Sequence, residues 1–278
     1  MNFRSFSKIN LSLNINKRLK NGLHDLQSHF CLIDIFDEIK IKKSKKLKDE
    51  VKFFGKYTKN IDKNDNTIIK TLKFLRKEKL ILNFYSVSIK KKIPIYAGLG
   101  GGTGNAVYLA KYLLNNKINK KTIDKMKKYI GSDCLLFLHK QGFLESLDKI
   151  KIYSKTHKLF FLLVYPNIKC STKHVYSKVK NFSPKIKLNY IIRKSKKNYI
   201  NFLTKSKNDL QLIVEKEHSI IRDLLLEIRQ HKGCYFSRMT GSGSVCYGVF
   251  QSKKSVIAAL NKIKSKHPSF WTTFAKTI

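Results

Sequence analysis

The sequence predicts a mixed fold of strands and helices, arranged in two domains of ordinary size or in one large one. With 278 residues, 42% of them hydrophobic, the chain is long enough to bury a substantial core. Apolar and polar residues alternate over residues 3–15, which indicates a strand, whereas apolar residues recur at helical spacing over 66–80 and 106–114. Five of the seven residues at 98–104 are glycine, and this run joins a predicted strand to a predicted helix.

The remaining elements follow from the same two periods. Further strands are predicted at residues 30–41, with a short acidic turn, and at 159–164, 245–250 and 269–278, and further helices at 120–129, 210–229 and 253–266. Residues 42–61 are polar and are predicted to form a hairpin, whereas residues 178–197 are basic and are predicted to be rich in loops.

Composition argues against several classes of protein. The longest apolar run, residues 159–165, is too short to cross a membrane as a helix. Residues 1–8 lack the apolar stretch of a secretory signal. The five cysteines are odd in number and form no Cys-x-x-Cys pair, which argues against a disulfide framework or a zinc site. We therefore expect a cytoplasmic protein with no membrane partner and no metal-ligand cluster.

The formal net charge of +40 is extreme and has two explanations. A basic surface could bind nucleic acid. Alternatively, the abundance of Lys, Asn and Ile together reflects the base composition of an AT-rich genome. The lysines are spread along the chain, with dense patches such as residues 42–48, and aromatic residues do not alternate with them as stacking platforms would. This favours compositional drift, although a diffuse positive field would still attract anionic substrates such as nucleotides.

The glycine run is predicted to be a loop between a strand at residues 85–89 and a helix that starts near 103–105 and ends near 115–116. Glycine has the largest backbone entropy cost in a helix or strand, so this density of glycine favours a loop. A loop that leads into a helix N-terminus presents unpaired N–H groups and the positive end of the helix dipole, which is typical of a phosphate site. A turn without a ligand is the alternative.

Neither of the common phosphate-binding motifs fits this run. A P-loop requires Lys and then Ser or Thr after its last glycine, but Asn105 and Ala106 follow Gly104. The dinucleotide fingerprint would place its third glycine at Thr103. A phosphate loop at this position must therefore be of another kind.

Three segments, in order along the chain, resemble the GHMP kinases (galactose, homoserine, mevalonate and phosphomevalonate kinases). They are residues 7–13, Ser-Lys-Ile-Asn-Leu-Ser-Leu, residues 94–106, Pro-x-x-x-Gly-Leu-Gly-Gly-Gly-Thr-Gly-Asn-Ala, and residues 238–244, Arg-Met-Thr-Gly-Ser-Gly-Ser. Within that superfamily, the triple glycine is most similar to that of the 4-diphosphocytidyl-2-C-methyl-D-erythritol kinases. The resemblance covers nearly the whole chain.

The resemblance implies an α+β fold with the two domains of a GHMP kinase. The first, residues 1–152, would be the ATP-binding domain, which is ribosomal-protein-S5-like. The second, residues 153–278, would be a ferredoxin-like α/β-plait domain. Because the first domain shares its fold with a ribosomal protein, a basic RNA-binding protein remains an alternative.

The implied activity is ATP-dependent phosphorylation of the 2-hydroxyl of 4-diphosphocytidyl-2-C-methyl-D-erythritol, a step of non-mevalonate isoprenoid (terpenoid) biosynthesis, with Mg²⁺. Asp133 would be the base that accepts the hydroxyl proton, and Lys8 would keep that carboxylate ionised and offset developing charge. Locally, Asp133 could equally be a helix N-cap. The resemblance assigns ATP binding to Pro94, Gly98, Leu99, Gly100, Gly101, Gly102, Thr103, Gly104 and Asn105.

The resemblance assigns substrate binding to Asn10, His24, Tyr176, Thr240, Gly241 and Ser242. His24 matches the histidine that reads the cytosine edge, and Tyr176 matches an aromatic that covers one face of the base. Leu23 replaces the tyrosine that stacks on the base in the family, a contact worth about 1–3 kcal/mol. Gly104 stands where the family usually has serine, and residues 134–135, Cys-Leu, replace Val-Pro.

Three other functions remain open. Another GHMP kinase would be revealed by a panel of substrates, and an RNA-binding protein by salt-dependent RNA binding without kinase activity. An inactive, decayed kinase is the third. For the kinase, the expected partners are ATP and one small-molecule substrate, as a monomer or homodimer. A nucleic-acid partner is disfavoured.

Overall fold

The computed structural model describes residues 1–153, 155–187 and 195–278. The strands are β1 (Asn2–Asn10), β2 (Asn14–Arg18), β3 (His24–Lys43), β4 (Glu50–Phe54), β5 (Tyr85–Lys90), β6 (Gln141–Ser146), β7 (Lys149–Ile152), β8 (Phe160–Tyr165), β9 (Cys234–Met239), β10 (Cys246–Phe250) and β11 (Trp271–Lys276). The helices are α1 (Thr67–Lys77), α2 (Gly101–Leu113), α3 (Lys120–Tyr129), α4 (Thr172–Ser177), α5 (Lys196–Lys205), α6 (Gln211–Glu217), α7 (Ser219–Gln230) and α8 (Lys253–Lys266), with a 3₁₀ helix at Ser132–Leu138. Of the stretch predicted to be rich in loops, residues 188–194 lie outside the described residues.

The chain divides into two compact units, each built from segments that alternate along the sequence. Unit 1 consists of Met1–Lys8, Ile35–Ile95 and Gly100–His139. Unit 2 consists of Ile9–Asp34, Tyr96–Leu99 and Lys140–Ile278. The domain boundary after residue 152 remains a prediction.

In unit 1, strand pairing differs from the predicted hairpin over residues 42–61. The end of β3 pairs antiparallel with β5, and β5 pairs parallel with β4. Strand β4 therefore joins β5 instead of folding back on the strand before it. Polar residues indicate where a chain turns but not which strand it joins next, which is why the hairpin prediction was wrong. Helix α1 packs on α2, and the 3₁₀ helix packs against α2 and α3.

The core of unit 2 contains an antiparallel sheet in the order β11-β8-β10-β9, packed against α7 and α8. The apolar run in β8 suits a strand with a neighbour on each side, and Leu162 and Val164 are fully buried. The helix predicted over residues 210–229 is divided, because His218 leaves the helical backbone between α6 and α7. Buried residues continue at helical spacing on both sides of this break, so the pattern could not reveal it.

The first predicted strand is also interrupted. Strand β1 ends at Asn10 and β2 begins at Asn14; between them the N–H groups of Leu11 and Ser12 donate to the His29 carbonyl at 2.7 and 3.3 Å. The apolar side of the alternation is buried as expected. The polar side is buried as well, with Asn10 4% and Ser12 1% exposed, so this segment is not the half-exposed strand that simple alternation indicates.

Arg238, in the third segment of the resemblance, is a structural link within unit 2. Its guanidinium is buried and donates to the carbonyl oxygens of Leu11, Leu203 and Ser206. The Tyr247 hydroxyl also donates to the Leu11 carbonyl, at 3.3 Å. Strand β9 is thereby joined to the start of the chain and to the end of α5, and buried carbonyl groups gain the partners they require.

Replacing Arg238 with Met retains much of the volume of the side chain but removes its donors. We expect the free energy of unfolding to fall by about 3 kcal/mol or more, because two buried carbonyls and one partly buried carbonyl lose hydrogen bonds to a charged group worth about 1.5–3 kcal/mol each. Urea unfolding measures the change. Arg222→Met is the control, since Arg222 is 62% exposed and should alter stability by at most about 0.5 kcal/mol. Similar losses in the two variants would show that Arg238 is not such a link.

His29 lies completely buried among aromatic rings in unit 2. Its ring centroid is 4.6 Å from that of Phe143, 4.9 Å from Phe202 and 5.8 Å from Tyr199, and its Nδ1 shares a hydrogen bond with the Tyr153 hydroxyl. Burial lowers the pKa of His29 to about 3, because the charged form cannot be hydrated there. The ring is therefore neutral in the folded protein under ordinary conditions.

This burial predicts a loss of stability in acid. Between the pKa of about 3 in the folded protein and the usual value of 6.5, the unfolded chain binds a proton at His29 that the folded protein does not, so stability decreases as the pH falls. This contributes a slope of about 1.4 kcal/mol per pH unit. His29→Phe keeps an aromatic ring there and should reduce the slope by that amount in guanidinium unfolding measured across this pH range. Parallel pH profiles for the parent and the variant would contradict this.

Candidate active site

Helix α2 begins earlier than predicted, at Gly101 instead of near Thr103. Gly100 is its N-cap, with a left-handed φ of 68° that favours glycine, and the Gly104 N–H donates to the Gly100 carbonyl at 2.8 Å to close the first turn. The N–H groups of Gly101, Gly102 and Thr103 precede this bond, so they have no partner within the helix. The expectation that the whole glycine run is a loop is therefore wrong, but its second half does present amide groups at a helix N-terminus.

Close packing explains why glycines stand in the first turn of a helix. A Cβ at Gly104 would lie 2.9 Å from Phe137 Cε1 and 3.1 Å from the Phe6 carbonyl oxygen, which leaves no room for a side chain. A Cβ at Gly102 would meet nothing nearer than 3.6 Å, on Thr67. The Phe137 ring thus occupies the space that a serine side chain at position 104 would need.

The predicted catalytic pair meets in unit 1. Lys8 Nζ, on β1, lies 3.2 Å from Asp133 Oδ2 in the first turn of the 3₁₀ helix, and the two side chains are 4% and 40% exposed. The N-cap of the 3₁₀ helix is Gly131, so the interpretation of Asp133 as an N-cap is wrong. A Cβ at Gly100 would lie 3.1 Å from Lys8 Cε, which places the lysine stem against the N-cap of α2. A half-exposed carboxylate, a buried ammonium and free helix amides thus lie side by side.

The first half of the glycine run packs against the segment around Thr240 in unit 2. The Thr240 hydroxyl donates to the Gly98 carbonyl at 3.4 Å, and Val245 N–H donates to the Ala97 carbonyl at 3.2 Å. A Cβ on Gly98 would overlap the Thr240 carbonyl oxygen, so only glycine fits there. Leu99 is buried, as is Pro94 on the preceding segment in unit 1.

Several hydrogen bonds hold the segment around Thr240 in place within unit 2. Asn10 N–H donates to the Thr240 hydroxyl at 3.0 Å, while the Asn10 side-chain amide donates to Ser28 Oγ at 2.8 Å. Asn208 Nδ2 donates to the Gly241 carbonyl at 2.8 Å. Ser242 Oγ shares a hydrogen bond of 2.9 Å with the Thr172 hydroxyl. The predicted substrate residues Asn10, Thr240, Gly241 and Ser242 therefore belong to one hydrogen-bonded region.

His24 and Tyr176, predicted to contact the base, lie together in unit 2. Their ring centroids are 5.3 Å apart, with the planes tilted by 40°. Partial burial and the nearby positive charge of Arg18 lower the pKa of His24, so the neutral imidazole is favoured. A neutral imidazole has one hydrogen-bond donor and one acceptor.

Asn105, one of the predicted ATP-binding residues, contacts Asp37, which lies in the stretch 30–41 that is predicted to contain an acidic turn. Asn105 Nδ2 donates to Asp37 Oδ2 at 2.9 Å. Asp37, fully buried in β3, also accepts from Lys92 N–H at 2.7 Å and Ile93 N–H at 2.9 Å, and pairs with the buried Lys91 ammonium. Asp37 thereby ties the segment before the glycine run to α2. Asp34 and Glu38 lie close to Asp37 in the same strand, so the sequence contains no signal that singles out Asp37.

Within the part of the chain that the structure describes, no helix is long and apolar enough to cross a membrane. Over residues 1–153, 155–187 and 195–278, no group of three or more His, Cys, Asp or Glu side chains is placed to hold a metal ion. All five cysteines are free.

Similarity to known proteins shows which family this chain belongs to. The model of the GHMP kinases N terminal domain matches residues 66–139, and that of the GHMP kinases C terminal matches residues 193–269. A Pelagibacter ubique (strain HTCC1062) protein named 4-diphosphocytidyl-2-C-methyl-D-erythritol kinase is 34% identical over 99% of this chain and 98% of its own. This chain belongs to the 4-diphosphocytidyl-2-C-methyl-D-erythritol kinase family.

Other similarities agree with this membership. A Wolbachia pipientis wMel protein of the same name is 30% identical, over 95% of this chain and 94% of its own. A crystal structure of 4-(cytidine 5'-diphospho)-2C-methyl-D-erythritol kinase matches with a TM-score of 0.75 over 99% of each chain, at 19% identity. Homoserine kinase from Cytophaga hutchinsonii matches at 0.66 over 100% of this chain and 94% of its own, at 15% identity. The predicted α+β GHMP kinase fold is confirmed.

The packing of α2 predicts opposite effects for alanine at two of its glycines. Gly104→Ala should lower the free energy of unfolding by about 1–3 kcal/mol, because the new methyl group overlaps Phe137. Gly102→Ala is the matched control: it has room, and it should be neutral or stabilise by up to about 1 kcal/mol by restricting the unfolded chain. Urea unfolding compares the two. Equal destabilisation by both substitutions would show that packing does not require the glycine at 104.

Proposed function

We propose that this chain transfers the γ-phosphoryl group of ATP to the 2-hydroxyl of 4-diphosphocytidyl-2-C-methyl-D-erythritol. Similarity to relatives of that name over nearly the whole chain supports the substrate. The single structural observation that carries the proposal is the 3.2 Å pair of Lys8 Nζ and Asp133 Oδ2, placed beside the N-terminus of α2. Phosphoryl transfer depends on positioning and charge stabilisation, and unit 1 offers a carboxylate, an ammonium and helix N-terminal amides that would fill the roles of base, cation and phosphate cradle.

In the proposed reaction, Asp133 accepts the hydroxyl proton as the substrate oxygen forms its bond to the γ-phosphorus. The bond between that phosphorus and the β–γ bridging oxygen breaks, and ADP leaves. Lys8 offsets the negative charge that grows on the transferred group. The exposure of Asp133, 40% against 4% for Lys8, fits these roles, because the base must reach a substrate whereas the cation acts from a fixed position.

The amide groups of Gly101, Gly102 and Thr103 would hold the ATP phosphates. The rest of the glycine run would line the path by which ATP enters the site. A Cβ on Gly131 would lie 3.7 Å from Thr103 Oγ1, so this hydroxyl is near the turn that leads to Asp133. ATP would bind as its Mg²⁺ complex, in which the ion neutralises part of the phosphate charge.

The cytidine part of the substrate would lie against Tyr176, with the neutral His24 ring reading the edge of the base. Asn10 and the hydrogen-bonded region of Thr240, Gly241 and Ser242 would contact the rest of the substrate. We place the enzyme in the cytoplasm, acting on small molecules as a monomer or homodimer.

Asp133→Asn tests the base. We expect turnover to fall by about 10²-fold or more, since an amide cannot accept the proton, while ATP affinity stays the same. The measurement is product formation from the cytidine diphosphate substrate with Mg-ATP, beside ATP binding on the same samples. Asp124→Asn, at an aspartate whose side chain is also 40% exposed and paired with a lysine, is the matched control and should retain full turnover.

Unchanged turnover in Asp133→Asn would refute the assignment of the base. If the parent makes no product, another GHMP kinase substrate, an inactive kinase and a binding protein remain, and a panel of other GHMP kinase substrates with ATP affinity measured on the same sample separates them. RNA binding that weakens with salt, in a protein without kinase activity, would favour the RNA-binding alternative.

A further inference from the structure

A second aromatic ring lies beside His24, at a position that the sequence motifs do not include. The Phe182 ring centroid is 6.4 Å from that of His24, with the planes tilted by 37°. Phe182 is 48% exposed, so part of its face is open to a ligand. Proteins hold single bases by stacking them on aromatic rings while a polar group reads an edge, and His24 with Tyr176 and Phe182 offers both kinds of contact.

Hydrogen bonds join the backbone next to Phe182 to β2. Ser183 N–H donates to the Ile15 carbonyl at 2.7 Å, and the Asn16 side-chain amide donates to the Ser183 carbonyl at 3.1 Å. Ser183 is 7% exposed, so these bonds are shielded from water. The residue next to Phe182 thus has its N–H and its carbonyl both paired, which fixes where the aromatic side chain begins.

Residues 185 and 186 of the same segment form an ion pair and hydrogen bonds with β3. Ile186 N–H donates to Gln27 Oε1 at 2.6 Å, and Gln27 Nε2 returns a bond of 3.1 Å to the Ile186 carbonyl. Lys185 Nζ lies 3.0 Å from Asp25 Oδ2, and Asp25 directly follows His24 in β3. Residues 183–186 therefore run along the strands that present His24, and Phe182 is held beside it by the fold.

The Phe182 ring matters for base binding because the residue before His24 is Leu23. Leu23 is 50% exposed next to His24 and has no aromatic face to offer a base. A leucine can pack against a base, but it lacks the ring-on-ring contact that an aromatic supplies. A site that reads a base with His24 then has Tyr176 and Phe182 as its aromatic neighbours among the described contacts.

We propose that Phe182 is a substrate-binding residue, which supplies the aromatic face for the cytosine base that Leu23 does not. The inference rests on the proposed function, since it assigns a role in binding the cytidine diphosphate substrate. Phe182 acts on binding and takes no part in proton or phosphoryl transfer.

Phe182→Leu tests the proposal through a split between KM and kcat. We expect KM for the cytidine diphosphate substrate to rise about tenfold, as loss of a base stack implies, while kcat and KM for ATP change by less than about twofold. Phe54→Leu is the matched control: Phe54 is 49% exposed in unit 1, and its replacement should leave all three constants unchanged. An unchanged KM for the cytidine substrate in Phe182→Leu would overturn the proposal.

A rescue experiment separates stacking from a structural role. Leu23→Tyr, made in the Phe182→Leu background, restores an aromatic beside His24 and should bring KM back towards the parent value. A structural defect at position 182 would not respond to a tyrosine at position 23, so failure of the rescue overturns the proposal. If the proposed function is wrong, the parent itself does not phosphorylate the cytidine substrate. If only the role of Phe182 is wrong, the parent is active and the KM of the variants does not behave as expected.

Discussion

Two positions at the start of α2, Gly100 and Gly104, have no room for side chains, and the arrangement around Lys8 depends on this constraint. The Phe137 ring and the stem of Lys8 stand where Cβ atoms of Gly100 and Gly104 would otherwise lie. Because they come this close, the Lys8 ammonium reaches Asp133 next to the free amide groups of the helix. A larger residue at position 100 or 104 would force the ring or the lysine away. The glycines at 100 and 104 and the Lys8–Asp133 pair are therefore two results of one packing requirement.

The sequence was most informative where candidate residues belong to a short, continuous motif. Lys8, Asp133 and the glycine run were selected because each belongs to a segment whose residue types and order resemble a known pattern, and the structure brings them together. The start of α2 was misplaced for a physical reason. Helix propensity counts the backbone entropy of glycine but not the close approach of Phe137, and tertiary packing overrides propensity.

Other contacts could not be predicted, because they join residues far apart in the chain. Asp37 meets Lys91 and Asn105 across 54 and 68 residues, and no period or spacing relates them. Phe182 is similar: it stands by His24 because Ser183 and Ile186 bond to β2 and β3, and the local sequence around it contains no sign of those bonds. The hairpin expected at residues 42–61 was wrong for the same reason, since strand partners are chosen by the whole sheet.

The buried Lys8 and the exposed lysines would both attract a nucleotide, but salt screens their charges to different extents. Most of the net charge of +40 comes from dispersed lysines, whose field acts over distance and weakens as ionic strength rises. Lys8 is 4% exposed, and a charge shielded from solvent is screened far less. If Lys8 acts as proposed, salt should slow the arrival of the nucleotide while leaving the contact between Lys8 and the transferred phosphate nearly intact. Drift in the surface composition of the chain would then alter association rates and leave the chemistry unchanged.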